Sequence, residues 1–328
     1  VYQIFHASIN LVTYVLYRKN KIRPRFRLLL DGLVLVFLGG TSLLSSTGNS
    51  VFQLFVLGAY FFLYGVSNIR DGFLFEEEIG KNHLKRRIRI SLPIVLAALI
   101  PARTLAKVNK FMLENADEEE DIHLGIVKSG KTAELEIFVH TAETSLFSAI
   151  GHVDICYQGR VISYGNYDPS SETLFGMVGD GVLYFCDRDK YIDLCKRESQ
   201  KTLFGYGIDL TPEMEKAVQK KLAELKQLTI PWEPSADKIM TGDGKEDYTY
   251  AYKIRHETDG ELYKFIKSKF KSYFVLSTNC VLLADTIVGQ AGTDILSPKG
   301  FIAPGTYQAY LNREFEKPNS IVVSKHVY

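Results

Sequence analysis

Four apolar segments in the first third of the chain constrain the fold more than any other feature. They cover residues 2–17, 28–46, 51–67 and 90–106. A helix needs about 20 apolar residues to cross a bilayer, or about 17 at the short end, and each segment reaches or approaches that length. Four such runs joined by short loops are hard to bury in a soluble fold, which is the alternative. The sequence therefore predicts a four-helix transmembrane bundle at residues 1–107.

The distribution of basic residues predicts how these segments are oriented. The loops after the first and third segments are rich in Lys and Arg, whereas the loop STGNS between the second and third has neither. Basic loops stay in the cytoplasm, so we expect a multi-pass protein of the cell membrane whose later domain is extracytoplasmic. The first segment has no basic start and no small-residue cleavage site, which argues against a standard signal peptide. The basic residues are Arg18, Lys19, Lys21, Arg23, Arg25, Arg27, Arg70, Lys81, Lys85, Arg86, Arg87 and Arg89.

Two stretches of this region also have a family likeness. The glycine-punctuated sequences LLLDGLVLVFLGG and VLGAYFFLYGVSNIRDG resemble helices of small HdeD-type membrane proteins. Asp31 and Arg103 lie within the apolar segments, and charges inside a membrane are functional candidates by default. Both lie near a segment end, where a charged side chain can instead reach the interface or pair with a neighbour.

Beyond residue 107 the pattern changes to that of a polar folded domain. Residues 108–122 contain the acidic run ENADEEED and form a charged linker. Residues 123–328 mix strand-like and helix-like stretches, which predicts an α+β domain. The formal net charge of the chain is +1, so its composition gives no reason to expect nucleic acid as a partner. The cysteines show no CxxC pair and no metal-type spacing, so neither a metal nor another cofactor is expected.

Several elements of this domain have clear local signals. The stretch GHVDICYQGRVISYGNY predicts a hairpin with Gln158 and Gly159 at its turn. IHLGIVKSG and AELEIFVHT predict two strands joined by a Ser-Gly turn. TPEMEKAVQKKLAELKQL predicts a helix with Thr211 as its N-cap and Pro212 at its first position. Two more helices are expected, in DGELYKFIKSKF and in NCVLLADTIVG.

Cys280, in the stretch STNCVLLAD, is the candidate nucleophile. The residues that follow have helical spacing, which places Cys280 in the first turn of a helix. The unsatisfied N–H groups and the dipole at a helix N-terminus stabilise a thiolate, and the N–H groups of Cys280 and Val281 can donate to an oxyanion. A free cysteine is nevertheless more often a small buried core residue. Spacing alone cannot decide whether Cys186 and Cys195 form a disulfide.

A nucleophilic cysteine needs a base, and His152 is the first candidate. It opens a strand in AIGHVDI, where its ring can be held beside a helix N-terminus. His140, which alternates with buried-looking positions in EIFVHTAE, is the second candidate. A third residue should orient the imidazole from the next strand. The sequence does not choose among the polar residues of VISYGNYD, and we take Tyr164 and Asn166 as candidates ahead of Ser163 and Asp168.

These motifs together resemble a known family. A strand with Gly-His-Val, a strand of the VISYG type and a later Asn-Cys at a helix start are similar to the circularly permuted branch of the NlpC/P60 (papain-like) cysteine hydrolases. In that branch the histidine comes first, and here His152 precedes Cys280 by 128 residues. The branch includes lecithin:retinol acyltransferase-like proteins, YiiX-like hydrolases and the Lnb-type lipoprotein N-acyltransferases, to which SYGN, GDGV and TNC look closest. The resemblance covers roughly residues 123–310 and implies a permuted papain-like fold with Cys280 as nucleophile and His152 as base.

The sequence departs from the family pattern in two places. Asp154 stands where many relatives have a glycine after His-Val. The second strand also lacks an evident His or Glu, which leaves the residue that orients the histidine open.

The residues and the resemblance lead to a cysteine-dependent acyl-transfer enzyme of the bacterial cell envelope. A thioester on Cys280 would be resolved by water, an amine or a hydroxyl. We expect a membrane lipid or lipoprotein as substrate and the lipid bilayer as a partner, with lipoprotein N-acylation as the activity that the resemblance implies. A cell-wall peptidase or amidase of the NlpC/P60 type is one alternative, although no wall-binding repeat is visible. A non-catalytic membrane protein that binds a partner is another.

Overall fold

The computed structural model describes residues 2–23, 25–44, 51, 54–55, 58, 62, 125–127, 133–140, 151–199, 202–240, 244, 246–289, 304–317 and 320–328. The chain forms two compact units, Val1–Leu84 and Lys85–Tyr328. We call them the N-terminal unit and the sheet unit, and each is described by itself. The mixture of helices with a largely antiparallel sheet confirms the α+β class.

The described part of the N-terminal unit is a pair of antiparallel helices, α1 (Tyr2–Lys19) and α2 (Phe26–Leu44). Glycines on α2 allow the two backbones to approach closely. A Cβ at Gly32 would lie 2.9 Å from the side chain of Leu11, and one at Gly39 would lie 2.7 Å from that of Ile4. Small residues at a helix contact permit this close packing.

The predicted four-helix transmembrane bundle is wrong. In the part of the chain that the structure describes, one helix is long and apolar enough to cross a membrane, over Phe26–Leu43 of α2. Polar residues interrupt the apolar run of α1, namely Gln3, His6 and Asn10. Almost all of the apolar segments at 51–67 and 90–106, with Arg103, lie outside the described residues.

The exposed surface of α2 is apolar, as its sequence predicts. Leu33 and Phe37 are more than half exposed, so the helix presents apolar side chains that a bilayer would cover. Asp31, the charge within this segment, lies 3.7 Å from Arg27 one turn earlier. It therefore pairs with a neighbour.

The sheet unit contains a nine-stranded sheet and two small ladders. All neighbouring strands in them are antiparallel. The strands are β1 (Gly125–Val127), β2 (Leu135–His140), β3 (His152–Tyr157), β4 (Arg160–Gly165), β5 (Val178–Asp180), β6 (Val182–Asp187), β7 (Leu203–Ile208), β8 (Thr229–Pro231), β9 (Lys238–Met240), β10 (Glu246–Tyr248), β11 (Glu261–Phe265), β12 (Ser272–Phe274) and β13 (Val322–Val327). The order in the large sheet is β1-β13-β7-β2-β3-β4-β6-β11-β8, and the ladders are β10-β9 and β12-β5.

Five helices and two short 3-10 turns complete the described part of the sheet unit. The helices are α3 (Arg188–Ser199), α4 (Pro212–Lys226), α5 (Tyr250–Glu257), α6 (Cys280–Val288) and α7 (Pro304–Glu316), and the 3-10 turns are Pro169–Ser171 and Lys269–Lys271. Two apolar clusters hold these elements to the sheet. One joins α4, α6 and α7 to side chains such as Val153 and Ile155, and the other joins α3 and α5 to side chains such as Phe138 and Val161. Because side chains alternate along a strand, the two clusters lie on opposite faces of the sheet.

Several local predictions are confirmed. The hairpin of β3 and β4 pairs Tyr157 with Arg160, and both turn residues, Gln158 and Gly159, have positive φ, as a type I′ turn requires. Helix α4 begins with Pro212 after Thr211, whose side chain accepts a hydrogen bond from a backbone N–H of the first turn. These elements depend on neighbours in the sequence, which is why the sequence predicts them.

Two other predictions fail because distant partners decide the outcome. Strands β1 and β2 both form, but they do not form a hairpin, since β13 and β7 lie between them. The stretch DGELYKFIKSKF is not a helix. Its first half is β11, which pairs with both β6 and β8, and a 3-10 turn follows. Pairing on both edges outweighs local helix propensity here.

Replacing Gly181 with alanine should destabilise the sheet unit by about 1–3 kcal/mol, the usual cost of forced overpacking. Gly181 N–H donates to Lys271 O at 3.0 Å, and an added Cβ would lie only 1.9 Å from the backbone oxygen of Phe270. The urea midpoint of unfolding would measure the effect. Gly289→Ala is the control, because no atom of the described residues lies within 4 Å of a Cβ there. Equal midpoints for the two variants would contradict the prediction.

Candidate active site

All four cysteines are buried. None of them forms a disulfide, so Cys186 and Cys195 are not joined to each other. Cys156, Cys186 and Cys195 belong to the cluster around α3 and α5. Burial raises the pKa of Cys156 to about 12 and also raises that of Cys186. Thiols in such surroundings are inert at neutral pH.

Cys280 has a different setting, at the start of α6 as the sequence predicts. Asn279 has an extended backbone and caps the helix, since its Oδ1 accepts a hydrogen bond from Leu282 N–H at 3.1 Å. The Nδ2 of the same side chain donates to Val275 O at 3.0 Å. The cap therefore ties the helix start to the segment before it and holds Cys280 in place.

His152 is the partner of this thiol. It is the first residue of β3, against which α6 packs, and the side chain of Cys280 lies near enough to its imidazole to act on the pKa of His152. Burial by itself lowers the pKa of His152. The charges of Asp154 and Cys280 outweigh burial and raise this pKa well above its usual range. The structure thus brings together the two residues that the sequence predicts as nucleophile and base.

Asp154 holds the other side of the imidazole. It lies two residues after His152, so both side chains point to the same face of the strand. Oδ1 of Asp154 lies 2.9 Å from Nε2 of His152, an ion-pair contact that is not a well-aligned hydrogen bond. Burial favours the protonated acid, but the charge of His152, together with the hydrogen bond from His140, holds the pKa of Asp154 well below its usual range. The carboxylate therefore stays ionised.

The second oxygen of Asp154 binds two further side chains. His140 Nε2 lies 2.7 Å from Oδ2, and the Tyr191 hydroxyl donates to the same oxygen at 2.5 Å. His140 and His152 are direct partners across β2 and β3. The second histidine candidate therefore sits on the same carboxylate as the first. His140 and Asp154 are both buried, so this part of the network is shielded from water.

Two hydroxyls complete the surroundings of His152. Ser163 Oγ lies 2.9 Å and Tyr167 Oη 3.0 Å from His152 Nε2. With Asp154 they surround Nε2 of His152. Burial and the charge of Asp154 raise the pKa of Tyr167 well above its usual range, so its hydroxyl remains protonated.

Tyr164 and Asn166, the predicted orienting residues, lie elsewhere. The Tyr164 hydroxyl donates to Phe270 O at 2.9 Å, and its ring belongs to the cluster around α4, α6 and α7. The amide atoms of Asn166 are buried without a hydrogen-bond partner, over Gly179. The physical reason is strand alternation, since a shift of one residue moves a side chain to the other face. Ser163, next to Tyr164, is the β4 residue that reaches His152.

Asp154 is the residue that the sequence analysis missed as the orienting group. The signal was present, because a His-x-Asp pair in a strand puts both side chains on one face. The orienting residue was expected on the next strand, so Asp154 counted only as a departure from a family pattern. Tyr191 has no such signal, since it lies on α3 and is 37 residues away in sequence.

Cys280 should react with iodoacetamide faster than the other three cysteines at neutral pH. All four thiols are similarly buried, at 0–4% exposure, so access alone does not favour Cys280. Only Cys280 combines a helix N-terminus with a neighbouring histidine, a setting in which cysteines are more reactive. Peptide mass spectrometry after short exposure would measure each site, with His152→Ala as the matched control. Equal labelling of Cys280 and Cys156 would contradict the prediction.

The arrangement is that of a nucleophile, a base and an orienting carboxylate. Among the residues that the structure describes, no group of His, Cys, Asp and Glu is arranged to hold a metal ion. Comparison of the chain with protein-family models, with curated proteins and with solved structures found no match.

Proposed function

We propose that this chain is a thiol-dependent acyl-transfer enzyme in which Cys280 is the nucleophile, His152 the base and Asp154 the orienting residue. One observation carries the proposal. A cysteine at a helix N-terminus contacts an imidazole, and that imidazole is ion-paired with a buried carboxylate. These are the parts that nucleophilic catalysis by cysteine requires. A cysteine that only packs in the core requires neither an imidazole nor a buried carboxylate beside it.

The geometry supports a two-step reaction. His152 accepts the proton of the Cys280 thiol, and the sulfur attacks an acyl carbonyl. The tetrahedral intermediate expels its leaving group, which takes the proton from His152, and a thioester remains on Cys280. Water, an amine or a hydroxyl then loses its proton to His152 and attacks the thioester, and the thiol is restored. Asp154 stays ionised throughout and stabilises the imidazolium.

The start of α6 supplies a place for the developing negative charge. The first N–H groups of a helix have no partner within it, and those of Cys280 and Val281 are the nearest to the sulfur. Backbone N–H groups are effective oxyanion donors because they are fixed before the reaction begins. The cap at Asn279 fixes their direction.

Two observations favour an acyl substrate that resides in a membrane, either a lipid or a lipoprotein. The chain carries a helix apolar enough to cross a bilayer, and the SYGN, GDGV and TNC motifs resemble those of Lnb-type lipoprotein N-acyltransferases. Asp154 now fills the role for which that resemblance supplied no residue. We propose transfer to a lipoprotein amine as the specific reaction.

The proposal also includes a location for the sheet unit. The stretch from Arg18 to Arg27, which leads into α2, is strongly basic, and basic flanks stay in the cytoplasm. A chain that crosses the membrane through α2 has the C-terminal end of that helix on the outer side, and we propose that the sheet unit is extracytoplasmic. The basic run at residues 70–89 would then lie outside as well, so labelling in cells decides the side. A maleimide that cannot cross membranes should label Cys280 in intact cells. Labelling only after lysis would place the site in the cytoplasm.

Mass spectrometry of two substrates tests the function. Purified full-length protein in detergent is incubated with a diacylglyceryl lipopeptide or with a muropeptide, each beside a Cys280→Ala control. The proposal predicts a change of acyl mass on the lipopeptide that is absent from the control. The site of the added or lost acyl group identifies the acceptor.

The other outcomes separate the alternatives. Cleavage of the muropeptide alone would replace the proposal with a cell-wall peptidase. Turnover that persists in the Cys280→Ala protein would remove Cys280 from the chemistry. If neither the lipopeptide nor the muropeptide is turned over or leaves an acyl group on Cys280, both substrate classes are rejected.

A further inference from the structure

An apolar turn protrudes from the sheet unit between the 3-10 turn Pro169–Ser171 and β5. Leu174 is 50% exposed and Phe175 is 92% exposed. Both have positive φ, at 50° and 58°, and Gly176 follows at 79°. We call Leu174, Phe175 and Gly176 the apolar tip.

Folding alone does not explain the residues of the apolar tip. Positive φ favours Gly, Asn and Asp, and it disfavours large side chains. Leu174 and Phe175 therefore strain the backbone, and their exposure to water adds no stability to the core. Single exposed apolar residues are common on protein surfaces. Two adjacent ones in a disfavoured conformation indicate a contact outside the folded unit.

The apolar tip is joined to the segment that leads into Cys280. Thr173 and Val178 close the turn by bridging to each other. Met177 O, within it, accepts a hydrogen bond from Val275 N–H at 3.0 Å, and Val275 is the residue whose carbonyl also binds the helix cap Asn279. A surface that binds the apolar tip therefore lies close to the N-terminus of α6.

A basic loop leaves the other end of the same small ladder. Residues 266–271, which we call the basic loop, lead into Ser272, which pairs with Asp180 at one end of the ladder. The apolar tip leads into Val178, which pairs with Phe274 at the other end. These ends are two strand steps apart, roughly 7 Å. Ile266, Lys267 and Lys271 are exposed on this loop. An apolar side chain beside lysines matches a surface of anionic headgroups above acyl chains.

We propose that the apolar tip inserts into the acyl-chain region of an anionic bilayer while the basic loop contacts its headgroups. The docked tip places the approach to Cys280 at the membrane surface, so an acyl substrate reaches the thiol without leaving the bilayer. Only this last consequence rests on the proposed acyl-transfer function. The docking itself depends on the tip and the loop alone.

Tryptophan quenching by brominated lipid tests the docking in the full chain. Trp232 is the single tryptophan, so Trp232→Phe gives a background without indole fluorescence. Phe175→Trp is made in this background, and Met240→Trp, at a position on β9 that is 66% exposed, is its matched control. Each protein is reconstituted into vesicles of phosphatidylcholine and phosphatidylglycerol with plain or brominated acyl chains.

The proposal predicts that the Phe175→Trp protein loses most of its fluorescence in brominated vesicles and that the Met240→Trp protein keeps its own. Absence of quenching at position 175, or equal quenching at both positions, would overturn it. The measurement is repeated with Cys280→Ala, in which no turnover occurs. Quenching that persists there separates docking from catalysis, so a failure of the acyl-transfer proposal would leave this result unchanged.

Discussion

Replacing Cys280 with alanine should abolish acyl transfer and leave the sheet unit folded. The sulfur is the proposed acceptor of the acyl group, and no other described cysteine contacts a comparable base. His152→Ala should have a similar effect because it removes the base. In cysteine and serine enzymes built this way, loss of either residue costs roughly 10³-fold or more in kcat. Turnover of the lipopeptide would measure this, with the urea midpoint as the test of folding.

Cys186→Ala is the matched control for that prediction. Cys186 is fully buried in the other cluster, so its replacement changes stability and leaves the reaction intact. If Cys186→Ala lost as much activity as Cys280→Ala at an unchanged midpoint, the dyad would not be the reactive centre. Full activity in His152→Ala would likewise remove the proposed base.

The Asp154→Asn protein should lose about 10⁴-fold in kcat, the loss found when the orienting carboxylate of a catalytic triad becomes an amide. The charge of Asp154 is the first cause that raises the pKa of His152 against burial. Without it, the pKa of His152 falls, because burial disfavours the imidazolium. The rate of Cys280 alkylation against pH would measure this independently of the substrate.

The expected pH profiles differ in position. In the natural protein the pKa of His152 is raised above its ordinary value of 6.5 by the charge of Asp154 against burial. In Asp154→Asn this cause is absent, so the part of the alkylation profile that follows the protonation of His152 should move to lower pH. Tyr191→Phe is the control, because it removes one donor from Asp154 and keeps the carboxylate. If the two variants had the same profile, the charge of Asp154 would not be the cause.

The carboxylate of Asp154 also makes the stability of the fold depend on pH in acid. Folding lowers the pKa of Asp154 below its ordinary value of 3.8. A group of this kind contributes stability above that pH, and the contribution is lost as the pH falls toward the folded value. In Asp154→Asn this part of the acid dependence should be absent.

Sequence reasoning succeeded where neighbours along the chain decide the structure. The β3–β4 turn follows from Gln158-Gly159, and the helix starts at Pro212 and Cys280 follow from the capping residues before them. The same reasoning located the two ends of the proposed dyad, because a strand start and a helix start can both be read locally.

Sequence reasoning failed where the residues that contact each other are far apart in the chain. Strand β11 is fixed by β6 and β8, and the separation of β1 from β2 is fixed by β13, which lies nearly 200 residues later in the chain. The orienting residue was sought on β4 at Tyr164 and Asn166, but the position is filled from the same strand as His152. The transmembrane bundle was inferred from the lengths of the apolar segments. Length alone does not identify a membrane span, because α1 contains polar residues and is not apolar enough to cross a membrane.

The position of Cys280 late in the sheet unit has a consequence for the cell that makes this protein. His152 leaves the ribosome 128 residues ahead of Cys280, and at about 5–20 residues per second this delay lasts roughly 6–26 s. The β3–β4 hairpin and its buried carboxylate can assemble during that time without the Cys280 thiol beside them. A nascent chain therefore carries no activated sulfur until most of the sheet unit has been synthesised, so the order of the residues itself delays the onset of reactivity.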